Sequence, residues 1–241
     1  MATPISDGIC VCREQELARL DAYLRQATSG RGSICFITGE PGAGKSTLLN
    51  EFIRCSAGDH PDLIFAMGDC NPQTGPADAY LPFREILSGL APASSAGQDA
   101  PKRARSFLTA AGNILTEHGP DLIDLIVPGG AIVTRVGAQA AGRLRDRKRG
   151  GALHADSDSA IDDSRLEQSH VFEQYTNVIR KLSEQSPLVI LVDDLHWADE
   201  ASIGLLFHLS RRLENDRVLV IGAYRANEVA AGRGNGRHPL E

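Results

Sequence analysis

Several marks of a secreted, membrane-bound or nucleic-acid-binding protein are missing from this chain. Positive charge does not dominate, since 25 Lys and Arg stand against 31 Asp and Glu, a net charge of −6. This balance argues against a binder of nucleic acid or membrane surfaces, because such binding relies on clustered positive charge. No apolar run approaches the roughly 18 residues of a membrane span, and the N-terminus lacks a secretory-signal pattern. We therefore expect a cytoplasmic protein with no membrane partner and no direct nucleic-acid binding by this segment.

Cysteine is scarce and is not spaced for a metal site or a disulfide framework. The number is odd, and no Cys-x-x-Cys pair or His-rich stretch accompanies it. These features argue against zinc and against a set of disulfides. The cysteines are interpreted as reduced cytosolic thiols, all in the first third of the chain: Cys10, Cys12, Cys35, Cys55 and Cys70.

A phosphate-binding loop is the strongest signal that the chain contains. Residues 39–46 match G-x-x-x-x-G-K-[ST] at every fixed position, between an apolar run and a helix-forming segment. The glycines of such a loop let backbone N–H groups curl around phosphate oxygens; the alternative is a plain glycine-rich turn. Lys45 would reach the β- and γ-phosphates of a nucleotide, and the Ser46 hydroxyl would ligate Mg²⁺. The predicted nucleotide contacts are Gly39, Glu40, Pro41, Gly42, Ala43, Gly44, Lys45, Ser46 and Thr47.

Strand-like and helix-like segments alternate through most of the chain. The run 188–192 is continuously apolar, which suits a strand buried on both faces. We expect an α/β fold, a three-layer sandwich of the P-loop NTPase type with a mainly parallel sheet and helices on both faces. The predicted strands are 33–38, 62–67, 188–192 and 218–224, and the predicted helices are 13–26, 45–55, 83–90, 101–117, 165–183 and one capped by Ser202.

The segment 131–164 differs in character from the rest of the chain. It is rich in Ala and Gly and then carries a basic block and an acidic block. This pattern predicts a mobile insertion between core elements, with a binding arm for DNA or a partner as the alternative. Residues 137–144 imitate the glycine spacing of a phosphate loop. Arg143 and Leu144 stand where the lysine and hydroxyl are needed, however, so neither ligand role is filled as in the first loop.

Charged residues follow two of the predicted strands. Asp193 and Asp194 come directly after the run 188–192, at the sheet edge where ligands bind in α/β proteins. We assign Asp193 to the Mg²⁺ that Ser46 also ligates, and Asp194 to polarising a water for attack on the γ-phosphate. The alternative is a carboxylate pair that only favours the following helix. Arg225 ends the last strand and would counter charge developing on the γ-phosphate, unless it is a strand-end arginine in water.

His196 and Trp197 follow the two carboxylates and receive no assigned role. One interpretation has them sense the nucleotide or a partner surface. The other has a ring packed under the end of the sheet and a histidine at the surface. Asp199 and Ser202 fit the chemistry of a helix start.

Three segments carry a resemblance to a known family: GEPGAGKSTLL, LVILVDDLHWADEAS and VLVIGAYR. They resemble the signal-transduction ATPases with numerous domains (STAND), a regulatory branch related to the AAA-type ATPases. The resemblance extends to CREQEL near the N-terminus and to YLPF, and covers roughly 12–90 and 165–241.

The resemblance implies a role for particular residues. Lys45 and Ser46 would bind phosphate and Mg²⁺, and Asp193 would support Mg²⁺. Asp194 would be the catalytic carboxylate and Arg225 the phosphate sensor. Arg13, in the CREQEL segment, would lie near the adenine base. Cys12 stands where the family usually has glycine, which puts the close backbone approach there in doubt.

The same resemblance implies that this chain is one module of a larger protein. The family continues with a further strand, a winged-helix lid and sensor or effector domains, none of which fits before residue 241. We therefore expect residues 1–241 to form a single P-loop ATPase domain, with its core at about 12–127 and 165–225. The phosphate-loop strand would then lie at the edge of the sheet, so we expect poor stability or self-association of the isolated piece.

The expected function is Mg²⁺-dependent ATP binding and slow hydrolysis, which would drive a conformational switch in signalling or transcription control. Protein partners, the chain's own further domains and a nucleotide-dependent oligomer are the expected interactions. A binding module that holds ATP without hydrolysing it is the alternative. A small-molecule kinase fits the paired carboxylates less well, and a GTPase would need an Asn-Lys-x-Asp motif that the sequence lacks.

Overall fold

The computed structural model describes residues 13–71, 79–90, 102–120, 122, 157–232 and 237–240. A short 3₁₀ helix at Leu195–Trp197 follows the third strand. In chain order the other elements are α1 (Glu14–Thr28), β1 (Ser33–Thr38), α2 (Lys45–Asp59), β2 (Ile64–Asp69), α3 (Leu81–Leu90), α4 (Lys102–His118), α5 (Ser157–Gln185), β3 (Leu188–Asp193), α6 (Glu200–Arg212), β4 (Val218–Tyr224) and α7 (Ala226–Ala231).

The strands form one parallel sheet in the order β1-β4-β3-β2, which confirms the α/β class. Ser33 of β1 lies opposite Leu219 of β4, and Leu188 of β3 lies opposite Val218. Because all pairings are parallel, the carboxyl ends of the strands meet at one edge of the sheet. The phosphate loop, Asp193 at the end of β3 and Asp194 directly after it lie at this edge.

Two hydrophobic clusters cover the two faces of the sheet, as a three-layer sandwich requires. Along β3, Leu188, Ile190 and Val192 pack into a cluster with α3, α4, α5 and α6. Val189 and Leu191 point the other way, into a cluster with α1 and α2. This alternation confirms that the apolar run is a strand buried on both faces.

The edge position expected for the phosphate-loop strand is observed. Among the described strands, β1 pairs with β4 alone, and Phe36 on β1 is 44% exposed. The instability expected from this edge stays a prediction. No helix in the described part of the chain has the length and apolar character needed to cross a bilayer.

The second strand begins two residues later than predicted. A tight turn holds the preceding chain, in which the Leu63 N–H donates to the His60 carbonyl, so that pairing starts at Ile64 opposite Leu188. The strand consequently ends at Asp69, which lies opposite Asp193. The prediction of 62–67 therefore missed a carboxylate at the functional edge.

Helix α5 begins at Ser157, well before the predicted start at residue 165. Residues 157–164 of the insertion predicted for 131–164 are therefore helical, and the mobility of the insertion stays a prediction. The rest of that insertion, residues 131–156, lies outside the described residues, as do the second glycine pattern and Cys12.

Cys35, Cys55 and Cys70, the cysteines within the described residues, are free thiols. Burial raises the pKa of Cys35 and of Cys70 to about 12, so these two thiols are protonated and inert at neutral pH.

Candidate nucleotide site

The phosphate loop joins β1 to α2 and has the backbone conformation that its glycines allow. Gly42 and Gly44 have φ angles of 77° and 76°, in the left-handed region that side chains rarely tolerate. Gly44 precedes the first residue of α2, so the positive end of that helix dipole faces the loop. Within the loop the Ala43 N–H donates to the Glu40 carbonyl, which closes a turn. The loop therefore offers a concave backbone surface suited to an anion.

Lys45 is folded back into this loop. Its Nζ donates to the carbonyl oxygens of Gly39 at 2.9 Å and Glu40 at 3.1 Å, and the residue is 9% exposed. A buried ammonium needs such partners, because desolvation without them is costly. Pro41 and Thr47 are exposed on either side. The ammonium is thus held at the mouth of the loop, where phosphate oxygens would replace carbonyls.

Ser46 and Asp193 meet although they are 147 positions apart in the chain. The Ser46 hydroxyl donates to Asp193 Oδ2 at 3.2 Å. A hydroxyl and a carboxylate are oxygen donors of the type that Mg²⁺ prefers, and Mg²⁺ usually takes only one or two carboxylates and completes its shell with water and phosphate. Among the described residues no cluster of three or more His, Cys, Asp or Glu is placed for a metal. The donor set therefore fits Mg²⁺ held jointly with a nucleotide.

Asp194 leaves the strand by an unusual backbone turn. Its φ of 50° lies in the left-handed region, which is uncommon for residues other than glycine but is tolerated by Asp. Its N–H donates to Asp193 Oδ1 at 2.8 Å, and its side chain remains 41% exposed. The turn separates the directions of the two adjacent carboxylates, so that one faces Ser46 and the other is accessible to solvent.

Arg225 stands at the carboxyl end of β4, next to the aspartates. Its Nη1 donates to Glu228 Oε1 at 2.7 Å. The hydrogen bond that Arg225 donates to Glu228, and the charges of Glu228, Asp194 and Asp193, raise the pKa of Arg225. The arginine is therefore not simply in water, but it is held by a carboxylate of the first turn of α7.

His196 is 2% exposed and Trp197 is 38% exposed, the reverse of the interpretation in which the ring is packed under the sheet and the histidine lies at the surface. The 3₁₀ turn causes this reversal by directing the imidazole inward. His196 Nε2 lies 3.2 Å from Glu228 Oε2, and Nδ1 lies 3.8 Å from Asp194 Oδ1. Burial lowers the pKa of His196, and the charges of Glu228 and Asp194 oppose this.

His238, near the end of the described chain, supports the same turn from below. It is 2% exposed, and its Nε2 donates to the His196 carbonyl at 2.9 Å. Its Nδ1 accepts from the Leu240 N–H at 3.1 Å. These two bonds define the neutral tautomer with the proton on Nε2. Nothing in the sequence pattern pointed to this residue.

Asp69 is a further carboxylate at the edge that sequence reasoning missed. It lies opposite Asp193 in the β2–β3 pairing, and its N–H donates to Glu85 Oε2 at 2.8 Å. Partial desolvation, and then the negative charges of Asp193, Glu85 and Asp194, raise its pKa. The edge is therefore rich in negative charge, which a cation would offset.

Two contacts tie neighbouring elements to the phosphate loop. Arg13, just before α1, donates from Nη2 to the Ala43 carbonyl and lies 3.5 Å from Glu16. Asn227 of α7 donates from Nδ2 to Glu40 Oε1. Arg13 therefore contacts the loop itself, and its proximity to an adenine base stays a prediction.

Asp199 caps helix α6 directly before its first residue, Glu200, which corrects the prediction that Ser202 is the cap. Asp199 Oδ1 accepts from the Ser202 N–H at 2.9 Å, and the Ser202 hydroxyl donates to Oδ2 of the same carboxylate. The capping carboxylate satisfies an N–H that the helix leaves unpaired. The pair is therefore structural.

A cavity lined by described residues lies away from this chemistry. It measures about 900 Å³ and opens at the opposite edge of the sheet, beside Asp62, Phe107, Pro187 and Arg217. None of the predicted site residues lines it. The phosphate loop is an open backbone surface, so its binding capacity follows from its N–H groups and not from enclosed volume.

Comparisons with known proteins agree with the loop and the sheet. The chain matches a family model described as AAA ATPase domain over residues 9–221. It is similar to an uncharacterized protein from Rhizobium meliloti, with 25% identity over 220 residues that cover 90% of this chain and 19% of the relative. It is also 31% identical over 99 residues to origin recognition complex subunit 1 of Cricetulus griseus, covering 38% of this chain and 12% of that protein.

The chain thus spans less than a fifth of the length of either relative. The family match, by contrast, covers most of the chain and includes the phosphate loop, the paired aspartates and most of β4. It supports ATP binding and hydrolysis in general. On this match, together with the parallel sheet and the glycine loop, the chain belongs to the AAA ATPase domain family.

Proposed function

We propose that this chain binds Mg²⁺-ATP, hydrolyses it slowly, and serves as the nucleotide switch of a larger signalling or transcription-control protein of the STAND type. The observation that carries the proposal is the 3.2 Å contact between Ser46 Oγ and Asp193 Oδ2. The glycine loop and the strand-end aspartates are separate signals in the sequence. A bound Mg²⁺-nucleotide would contact the glycine loop and the aspartates at the point where they meet.

In this proposal the loop N–H groups and Lys45 bind the phosphates, and Lys45 exchanges the carbonyls of Gly39 and Glu40 for phosphate oxygens. Ser46 and Asp193 hold Mg²⁺, which when bound neutralises charge on the β- and γ-phosphate oxygens. Asp194, which is accessible, accepts a proton from the attacking water. Arg225 offsets charge that develops on the γ-phosphate.

The role in a larger protein rests on three features. The motif set resembles STAND proteins, β1 is a sheet edge, and the curated relatives are far longer than this chain. A cytoplasmic location, protein partners and a nucleotide-dependent oligomer belong to the same proposal. The name of the Cricetulus griseus relative refers to an origin recognition complex, and this name describes that relative alone.

The test measures nucleotide binding and phosphate release together. Lys45→Ala should weaken Mg²⁺-ATP binding by at least about tenfold, since one lost charge-assisted contact is worth about 1.5–3 kcal/mol. Asp194→Asn should keep binding and lose phosphate release. Lys181→Ala on α5 and Asp59→Asn at the end of α2 are matched controls that keep both. Unchanged binding by Lys45→Ala, or unchanged release by Asp194→Asn, would refute the corresponding assignment.

A second candidate is a module that holds ATP without hydrolysing it. The Arg225–Glu228 ion pair favours it, because an arginine held by a carboxylate is not available to stabilise a transition state. Tight ATP retention without phosphate release, equal in wild type and Asp194→Asn, would support this candidate. Transfer of the γ-phosphate to an acceptor other than water would instead support a small-molecule kinase.

A further inference from the structure

Glu228 occupies a central position that the proposed chemistry does not use. Its side chain is 34% exposed, on the first turn of α7. Oε1 accepts from Arg225 Nη1 at 2.7 Å, and Oε2 lies 3.2 Å from His196 Nε2. One carboxylate therefore connects the end of β4 with the turn that follows β3.

Two residues beside this carboxylate, Asn227 and His196, lie against different parts of the site. Asn227, its neighbour in the chain, donates to Glu40 of the phosphate loop. His196 lies 3.8 Å from the Asp194 carboxylate through its other ring nitrogen. A change in the partner of Glu228 would therefore alter the surroundings of both the phosphate loop and Asp194.

The geometry points to an exchange of partners: we propose that a γ-phosphate displaces Glu228 from Arg225, and that Glu228 and His196 then reposition the turn that carries Asp194. This inference rests on the proposed function. Phosphate and carboxylate can both accept two parallel hydrogen bonds from the planar fork of a guanidinium, and the more highly charged phosphate is the stronger acceptor. A diphosphate, which lacks the γ group, would leave the Arg225–Glu228 pair in place.

In this exchange Glu228 is a positioning residue, and its pairing with Arg225 lowers the affinity for a triphosphate by a measurable amount. The wild-type chain must break the Arg225–Glu228 pair before Arg225 can bind the γ-phosphate, and this lowers the apparent triphosphate affinity. Glu228→Gln removes the competing charge but keeps the size of the side chain. Arg225 would then be available before the nucleotide arrives.

The first measurement is the affinity for the non-hydrolysable β,γ-imido analogue of ATP and for ADP, both with Mg²⁺. Glu228→Gln should bind the triphosphate analogue about two- to fivefold more tightly, the range expected for an exposed ion pair, and ADP as wild type does. In an Arg225→Ala background the same substitution should have no effect. Glu214→Gln, an exposed carboxylate in the turn before β4, is the matched control and should behave as wild type.

The second measurement uses Trp197, the single tryptophan of the chain. Its ring centroid lies 5.3 Å from that of His196, so its fluorescence reports on the imidazole. The triphosphate analogue should change the Trp197 emission in wild type, whereas ADP should leave it nearly unchanged. Glu228→Gln should reduce this difference. A purely structural role for Glu228 would not separate the two nucleotides.

Three results would overturn the exchange. Glu228→Gln could change triphosphate and ADP affinity equally, the gain could persist without Arg225, or Trp197 could respond identically to both nucleotides. Each of these leaves intact the proposed function, which depends on Lys45 and Asp194. Absence of any nucleotide binding by the wild-type chain would instead overturn the proposed function and the exchange with it.

Discussion

The phosphate loop and the turn that begins α7 lie at the same edge of the sheet but are held in different ways. The loop is shaped by its backbone, through the left-handed Gly42 and Gly44 and the carbonyl partners of Lys45. The turn is held by side-chain charges, in which Glu228 is shared between Arg225 and His196. The conformation of a left-handed glycine does not depend on salt, whereas an exposed charge pair is screened by it. The comparison teaches that two parts of one sheet edge are held by different kinds of interaction.

The largest expected effect comes from a substitution in the phosphate loop, the backbone-held half of the site. Gly44→Ala places a side chain at φ 76°, which costs roughly 1–2 kcal/mol in the left-handed region. Either the unfolding free energy falls by about that amount, or the loop changes shape and Mg²⁺-ATP binding weakens about tenfold. Chemical denaturation and titration calorimetry measure the two outcomes.

Gly58→Ala is the matched control for this prediction. Gly58 lies in helix α2, and a Cβ there would meet nothing within 4 Å. This change should raise the unfolding free energy by about 0.5–1 kcal/mol, because alanine is favoured over glycine in a helix. Wild-type stability and binding in Gly44→Ala would contradict a backbone-defined loop.

A smaller effect on stability is expected at the turn that begins α7, the charge-held half of the site. The Arg225 and Glu228 side chains are 32% and 34% exposed, so their coupling should be about 0.2–1 kcal/mol in a double-mutant cycle of Arg225→Ala and Glu228→Gln. The coupling should fall towards zero in 1 M salt, where the Debye length is about 3 Å. Urea unfolding of the four proteins at two salt concentrations provides the measurement. A coupling that is insensitive to salt would indicate a backbone-like constraint instead.

The smallest effect is expected far from the site, at His208, a residue of α6 whose ring packs against α5. Its ring lies 5.4 Å from that of Phe172, and burial lowers its pKa, while Glu173 opposes and Arg212 adds to the decrease. The unfolded chain therefore binds more protons below the ordinary imidazole pKa of about 6.5, so stability falls as pH drops through 6.5 towards the folded value.

His208→Gln removes this titration. The decrease in unfolding free energy between about pH 7 and pH 5 should therefore be shallower in His208→Gln than in wild type, as urea denaturation across the pH range would measure. His196, whose pKa burial also lowers, still titrates in the variant and is the reason why part of the slope should remain. An identical slope in the two proteins would show that His208 does not contribute.

The backbone-held half of the site could be predicted from the sequence because its signals are local. The glycine spacing around Lys45 and the apolar run ahead of Asp193 each lie within a few residues, and strand alternation then predicts a parallel sheet. The contact between Ser46 and Asp193 follows once both strands end at one edge.

The charge-held half could not be predicted, because its contacts depend on geometry that no local pattern encodes. The inward direction of His196 follows from the left-handed Asp194, and Asp69 became visible only when the turn at His60 shifted β2 by two residues. The Asp199 cap differs, because Asp-x-x-Ser is a readable cap pattern in which the carboxylate is the stronger acceptor.

The left-handed backbone at Asp194 also changes which substitutions count as conservative there. At an ordinary backbone position, glutamate is the conservative substitute for aspartate because it preserves the charge. At φ 50°, the residues that share the tolerance of Asp are Asn and Gly. Related chains should therefore drift from Asp towards Asn or Gly at this position when hydrolysis is no longer selected. Such drift would leave domains that still bind ATP but no longer hydrolyse it.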